Sequence, residues 1–182
     1  QMEIRTQFRN TLNSVSLTNR SYAGGEIWSQ TQKIAGVMSN ISGGTLESSA
    51  FLQQAMNAER AFQFLGCAPL ESSTADQKLH YLIFSSKILS GSNYYAPAGC
   101  ALFAFSESSF YRSVFSSMQN DKEIYLATTS GQILSHSDKQ LLAAQQPQPL
   151  TDWVRAELDA GQSHGSRTFR LDGEEKLVVF DK

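Results

Sequence analysis

The stretch YLIFSSKILSGSNYYAPAGCALFAFSESSF, residues 81–110, decides the fold class. Residues 81–89 and 99–105 are rich in aromatic and aliphatic side chains. They flank residues 90–98, where Ser, Gly, Asn, Tyr and Pro predominate. Apolar runs of this length around a turn-forming segment are typical of paired strands. The stretch therefore predicts two antiparallel strands joined by a long connection.

Towards the C-terminus, helices alternate with strand pairs. Ser106 is suited to cap a helix in which Phe110, Val114 and Met118 share one face. Three further elements are predicted in order: a hairpin over 123–136 that turns at Ser130–Gly131, a helix capped by Thr151 that runs to Leu158 and closes at Gly161, and a hairpin over 167–180 that turns at Asp172–Gly173.

Towards the N-terminus, residues 3–42 contain no proline and carry apolar residues at helical spacing in two phases. The two phases are Ile4, Phe8, Leu12, Val15, Tyr22 and then Ile27, Ile34, Met38, Ile41. This spacing predicts one long helix bent at Gly24–Gly25, with a helical hairpin turning there as the alternative. Strict three-to-four spacing of Phe51, Ala55, Ala58, Phe62 and Leu65 predicts a second amphipathic helix over 46–65.

The order of the elements defines the fold class. Strands follow one another in pairs, without βαβ alternation and without a repeat of fixed period. This order is typical of an α+β protein with an antiparallel sheet. We expect one domain over 1–182, with a helical stalk at 1–42 and a module of about five to six strands at 43–182.

Composition excludes several classes of protein. Of the 182 residues only 18% are charged, against about 25% in an average domain, and the formal net charge is −2. A nucleic-acid-binding protein would show a strongly basic surface. A polar surface built from Ser, Gln, Thr and Asn, which few titratable groups interrupt, fits a domain that faces the outside of a cell.

Catalytic and metal-binding signatures are not found in the sequence. There is no G-x-S-x-G, Walker A, dinucleotide fingerprint, EF-hand loop or H-E-x-x-H motif. His80, His136 and His164 are scattered, and none has a cysteine or carboxylate at metal-ligand spacing. We therefore expect no enzyme activity, no metal and no cofactor. A secreted hydrolase would need a Ser or Asp brought beside one of these histidines by the fold.

Two cysteines, Cys67 and Cys100, have neither CxxC nor metal-like spacing. In an oxidising compartment they could form a disulfide, whereas in the cytosol they would be small buried apolar residues. The sequence leaves both alternatives open.

Three segments resemble the extracellular Cache-type, PAS-like sensor domains of bacterial receptors. These are the opening stretch, EIYLATTSGQILSHSDKQLL at 123–142 and DGEEKLVVF at 172–180. In order they are similar to the strand–loop–strand–helix start, the next hairpin and the later strand of that family, over about 80–181. The closest subset is the sensor region of YesM-like transmembrane histidine kinases, and membrane-bound AraC-type regulators and chemoreceptors carry related regions. The segment between Leu65 and Leu79 is shorter than a full double Cache region requires, which implies a single sheet or one full module beside a degenerate one.

The resemblance implies a ligand-sensing domain held outside the cell membrane by flanking helices that this chain does not include. Gln1 is not a natural start, and residues 176–180 are predicted to form a strand just before the end. We therefore expect the chain to be a segment cut from a longer protein at both ends. The resemblance further implies a homodimer formed through the N-terminal helix. The slightly acidic charge balance separately indicates that nucleic acid is not a partner. A structural or protein-interaction module with a filled pocket is the alternative.

Candidate ligand contacts are aromatic and polar groups near the predicted sheet. Tyr94 and Tyr95 in the 90–98 loop can stack on a sugar or another organic ring while their hydroxyls form hydrogen bonds. Packing of a long hairpin is the alternative role for this pair. Tyr125 and Arg112 are the other candidates.

Overall fold

The structure, a computed structural model, describes most of the chain after residue 19. The described residues are 20–38, 41–42, 46, 50–73, 78–89, 97–115 and 123–182. They divide into two compact units, residues 1–122 and 123–182. Each unit is described by itself below.

The first unit is built on a five-stranded antiparallel sheet. Its strands are β1 (Tyr22–Ser29), β2 (Lys33–Met38), β3 (Phe62–Glu71), β4 (Lys78–Leu89) and β5 (Pro97–Ser106). Their order in the sheet is β2-β1-β5-β4-β3, so β5 is central and pairs with both β1 and β4. The two strands predicted at 81–89 and 99–105 are confirmed as β4 and β5. The predicted α+β antiparallel architecture is confirmed with them.

The long N-terminal helix predicted through residue 42 is wrong over 22–38, where β1 and β2 form a hairpin. Gly24 lies opposite Met38, and a Cβ built at Gly24 would lie 2.5 Å from the Met38 sulfur. The glycine therefore permits close approach of two strands and does not bend a helix. Residues 1–19 of the predicted stalk lie outside the described residues.

The helix predicted over 46–65 is observed only as α1 (Ala50–Met56), and the part from Phe62 onwards is wrong because it belongs to β3. Phe64 lies opposite Phe84 on β4, with ring centroids 5.1 Å apart. Cross-strand aromatic pairs of this kind stabilise the pairing of two strands. The three-residue step from Phe62 to Leu65 matches a helix only by coincidence.

The two faces of the sheet carry different side chains. One face, called here the helix-covered face, packs against α1 and holds the larger apolar cluster, including Cys100, Leu102 and Ala104. The opposite face holds a smaller buried group with half-buried aromatic rings such as Phe103 and Phe105 around it. Successive residues of β5 thus alternate between the faces, as expected for a pleated strand.

A second helix, α2 (Glu107–Phe115), follows β5 directly. The hydroxyl oxygen of Ser106 accepts a hydrogen bond from the backbone N–H of Ser109 at 3.3 Å, which confirms the predicted cap. Val114, on the face predicted to carry Phe110 and Met118 as well, is exposed, and the helix buries Tyr111. Met118 lies outside the described residues.

The second unit contains two hairpins, one α-helix and one short 3-10 helix (Lys139–Leu141). Its elements are β6 (Leu126–Ala127), β7 (Ile133–Ser135), α3 (Gln148–Asp159), β8 (His164–Leu171) and β9 (Glu174–Asp181). Both predicted hairpins are confirmed, and the β8–β9 turn uses positive φ at Asp172 and Gly173 as anticipated. They form separate two-stranded sheets.

The predicted start of the last helix at Thr151 is wrong, because α3 begins at Gln148, after Pro147. Proline is favoured at a helix start since its φ is already helical. Thr151 is instead buried within the helix. Trp153 is the core anchor of this unit, with its ring centroid 5.3 Å from the rings of both Phe169 and Phe180.

Candidate functional site

A groove opens beside the turn between β1 and β2, next to α1. Its volume is about 400 Å³. The described residues that line it are the apolar Trp28, Leu52 and Met56, the amides Gln30, Gln32, Gln53 and Asn57, and the hydroxyl-bearing Ser29 and Thr31. We call it the Trp28 groove. It is a candidate binding site among the described residues of the first unit.

Ser29 fixes the shape of the turn that forms one wall of the groove. Its hydroxyl oxygen accepts hydrogen bonds from the backbone N–H groups of Thr31 and Gln32, at 3.4 and 3.1 Å. The backbone N–H of Ser29 donates to the Gln32 carbonyl at 2.9 Å. The backbone of the turn is therefore held by side-chain and backbone hydrogen bonds together.

A buried carboxylate lies two residues before the groove tryptophan on the same strand. Glu26 is fully buried, forms an ion pair with Lys33, and accepts a hydrogen bond from the Trp28 indole N–H at 3.0 Å. Gly36 lies opposite Glu26, and a Cβ built there would be 2.9 Å from the Lys33 side chain. The missing side chain at Gly36 leaves the space through which Lys33 reaches Glu26.

Trp28 connects this ion pair to the groove. Its ring lines the groove, its N–H bonds to Glu26, and the Lys33 ammonium lies 5.7 Å from its ring centroid. A buried charge is tolerated when it is paired and hydrogen-bonded. The two opposite charges therefore balance each other, and together they hold the indole in one position.

The four predicted ligand residues fall in different parts of the chain. Tyr94 and Tyr95 lie outside the described residues. Arg112 is exposed on α2, where its guanidinium donates a hydrogen bond to the Ser108 carbonyl at 3.3 Å. Tyr125 belongs to the second unit. The roles of all four residues remain predictions.

Tyr125 packs flat on His136, with ring centroids 4.4 Å apart and the planes at 18°. Burial, followed by a hydrogen bond to Glu123, raises the pKa of Tyr125 well above its ordinary value. The His136 ring is buried, and its Nδ1 accepts the Asp138 backbone N–H at 3.0 Å. In the second unit, Tyr125 therefore packs as a structural partner of His136.

The disulfide left open for Cys67 and Cys100 does not form. Cys67 lies opposite Leu82 and Cys100 opposite Lys87, on the two sides of β4. Five residues of β4 separate these two positions, which is roughly 16 Å at strand spacing and beyond the reach of a disulfide. Burial raises the pKa of the Cys100 thiol to about 11.

The described residues contain neither a metal-binding cluster nor a membrane-spanning helix. In those residues no group of three or more His, Cys, Asp or Glu side chains could hold a metal ion. None of the helices formed by the same residues is long and apolar enough to cross a membrane.

Sequence reasoning missed the Trp28 groove because it assigned its tryptophan to a helix. A signal was available in GGEIWS, residues 24–29, where Glu26 and Trp28 alternate with Ile27. Alternation of this kind places the two former residues on one face of a strand. The glutamines of the turn carried no comparable signal.

Comparison with known proteins identifies the fold. No protein-family model matches the sequence, and neither does any curated protein. Among solved structures, the fold is similar to sensory domains of bacterial receptors. The periplasmic sensory domain of the Campylobacter jejuni chemoreceptor Tlp1 has a TM-score of 0.61 and 10% identity, over 98% of this chain and 80% of that chain.

Two further structures have the same fold. The extracellular domain of the histidine kinase mmHK1S-Z3 has a TM-score of 0.64 and 13% identity, over 96% of this chain and 72% of that one. The ligand-binding domain of the Pseudomonas aeruginosa PAO1 amino acid chemoreceptor PctB, in complex with L-Gln, has a TM-score of 0.62 and 12% identity, over 93% of this chain and 66% of that one. The chain thus has the fold of extracytoplasmic sensory domains.

Proposed function

We propose that this chain is a ligand-sensing domain on the extracellular side of a membrane-bound signalling receptor, and that it carries out no catalysis. The observation that carries the proposal is the shared fold, which extends over at least 93% of the chain in three sensory domains. The low charge of the sequence, 18%, is compatible with an exposed extracellular surface. In this role both compact units belong to one sensor.

The receptor class that we propose is a two-component histidine kinase of the YesM-like group. A histidine kinase ectodomain is among the structures with this fold, and chemoreceptor domains are as well. A chemoreceptor or a membrane-bound AraC-type regulator is therefore the alternative parent. Sensing in all three consists of a small conformational shift that ligand binding favours, passed on through flanking membrane helices.

The ligand that we propose is a small organic solute, with the Trp28 groove as its site in the first unit. Tyr94 and Tyr95 are proposed to contribute a stacking surface for a sugar or another ring, and Tyr125 and Arg112 are weaker candidates. PctB is solved with L-Gln, which illustrates the size of ligand that a domain of this fold can hold. Site volumes of about 300–1,000 Å³ are usual for such ligands.

The experiment that tests the proposed function is a thermal-shift screen of the purified chain against sugars, amino acids and small carboxylates. A rise in Tm with at least one compound is expected, since ligands that bind only the folded state stabilise it. Replacing Tyr94 and Tyr95 together by alanine should weaken this binding and leave the Tm of the free protein nearly unchanged. An equal loss of stability would remove the tyrosine pair from the site.

Dimer formation through the N-terminal segment is a separate part of the proposal. Its support is the apolar stripe at Ile4, Phe8 and Leu12 in the sequence. These three residues lie outside those that the structure describes. Light scattering on the chain should give the mass of a dimer. A monomer over the whole concentration range would contradict this part alone.

A structural or interaction module is the second candidate. The observation that favours it is the helix-covered face, where eleven buried residues form an apolar cluster and fill the space between sheet and helix. In that case no small molecule would raise the Tm in the screen, and replacements in the Trp28 groove would have no effect on binding of any kind.

A further inference from the structure

We propose that the Trp28 groove selects an uncharged polar solute of the saccharide or polyol class and rejects amino acids and carboxylates. The inference rests on the proposed sensing function and narrows its ligand. It is drawn from the charge, the hydrogen-bonding groups and the size of the groove.

The charge distribution disfavours an ionic ligand. None of the described residues that line the groove is charged. Glu26 and Lys33, which lie beside the lining residue Trp28, form an ion pair with each other, and Glu26 is fully buried. A ligand carboxylate or ammonium that lost part of its hydration against these described lining residues would gain no counter-charge from them, which makes its binding unfavourable.

The polar groups of the groove suit hydroxyl-bearing ligands. Gln32, Gln53 and Asn57 are exposed and line the groove. Each primary amide offers both hydrogen-bond donors and an acceptor. A sugar hydroxyl also donates and accepts at once, so adjacent amides can satisfy it from both sides. A charged ammonium or carboxylate uses only one half of each amide.

The apolar lining and the size of the groove agree with this ligand class. Leu52 and Met56 from α1 and Trp28 from β1 are its apolar lining residues, and the C–H face of a sugar ring can pack against them. A volume of about 400 Å³ lies at the low end of the usual range for ligand sites. The groove therefore fits a small solute better than an oligosaccharide.

The test is calorimetric titration of the whole 182-residue chain with two panels of probes. One panel holds D-glucose, D-xylose, maltose and myo-inositol, and the other holds L-glutamine, L-glutamate, L-arginine and citrate. We expect binding by at least one member of the first panel and by none of the second. Gln53→Ala should weaken that binding by about three- to tenfold, the effect of one lost neutral hydrogen bond.

Gln54→Ala is the matched control. Gln54 is the next residue on α1, is equally exposed and does not line the groove, so its replacement should leave affinity unchanged. Binding of an amino acid or citrate that Gln53→Ala weakens would overturn the inference while the sensing function stands. Saccharide binding that both variants leave unchanged would place the ligand elsewhere and overturn the inference in the same way. Binding by neither panel would contradict both the inference and the sensing function.

Discussion

Lys33 reaches across from β2 and neutralises the carboxylate of Glu26, which is buried in β1. The two side chains differ in their access to water: Glu26 is fully buried, whereas the side chain of Lys33 is 34% exposed. When one partner is removed, the carboxylate must stay in the protein interior, but the ammonium can turn towards solvent. The pair is therefore energetically asymmetric.

Replacing Lys33 should cost more stability than replacing Glu26. Lys33→Met leaves a buried carboxylate without its counter-charge and is expected to lower the free energy of unfolding by about 3 kcal/mol. Glu26→Gln keeps an oxygen for the Trp28 indole N–H and should cost about 1 kcal/mol. Urea unfolding measures both values. If Glu26→Gln lowered the free energy of unfolding more than Lys33→Met, the Glu26 carboxylate would not be confined to the protein interior.

Removing the hydroxyl of Tyr22 should stabilise the first unit or leave its stability unchanged. Tyr22 is 4% exposed, and its hydroxyl has no hydrogen-bond partner among the residues that the structure describes. A buried hydroxyl without a partner costs about 1–3 kcal/mol. Tyr22→Phe keeps the ring packed against Phe105 and removes this cost. The Tm should rise or stay constant, and a marked fall would mean that the hydroxyl is bonded in solution.

Alkaline pH should destabilise the protein above pH 9. Burial raises the pKa of Cys100 from 9 to about 11 and that of Tyr22 from 10 to about 12. Both folded-state pKa values exceed the unfolded ones. The stability that the protonated forms of Cys100 and Tyr22 contribute is therefore fully present below pH 9 and is lost as the pH rises towards 12. Unfolding curves between pH 8 and 12 measure the loss. In Tyr22→Phe the loss between pH 10 and 12 should be smaller, and an unchanged profile would contradict the assignment.

Two glycines of the second unit form a matched pair for separating backbone strain from steric crowding. Gly131 and Gly173 have nearly equal φ, 88° and 86°. A Cβ at Gly131 would collide with the side chain of Thr151, whereas a Cβ at Gly173 would meet nothing within 4 Å. Gly173→Ala should cost about 1–2 kcal/mol from backbone conformation alone, and Gly131→Ala should cost more. Equal losses in thermal unfolding would show that Thr151 moves aside freely.

The cysteines should behave as two protected thiols, even in an oxidising compartment. Neither should react with a thiol reagent at pH 8 in the native protein, because both are buried and the pKa of Cys100 is about 11. After unfolding, two thiols per chain should react. A reducing agent should leave the Tm unchanged, and a Tm that falls on reduction would indicate a disulfide.

The apolar pattern predicted the structure correctly where it fitted only one kind of element. It failed where the same spacing fitted both a helix and a strand. In β4 and β5 the runs of aromatic and aliphatic residues fit only strands, and Asp172–Gly173 fits only a tight turn. By contrast, Ile27 and Ile34 are seven residues apart, which matches two helical turns. In the structure Ile27 instead lies opposite Ala35 across the β1–β2 hairpin. Only the pairing of β1 with β2 distinguishes a strand from a helix here. The local spacing of apolar residues carries no information about that pairing.

The candidate site was the least predictable feature for the same reason. Trp28 and Gln53 are 25 positions apart in the sequence. Both line the groove because α1 packs against the sheet that contains β1. Tyr94 and Tyr95 were conspicuous in the sequence because they are adjacent aromatic residues in a loop. Uncharged glutamines at a turn and on a short helix have no comparable signature, although they shape the groove.

The chain has two tryptophans, and each compact unit holds one of them, Trp28 in the first and Trp153 in the second. Each unit thus contains its own intrinsic fluorophore. With Trp153 replaced by phenylalanine, indole emission would come only from the residue that borders the groove and the buried ion pair. With Trp28 replaced, it would come only from the aromatic cluster with Phe169 and Phe180. Two single-tryptophan variants would therefore resolve ligand occupancy of the first unit and unfolding of the second as separate optical signals, without any added label.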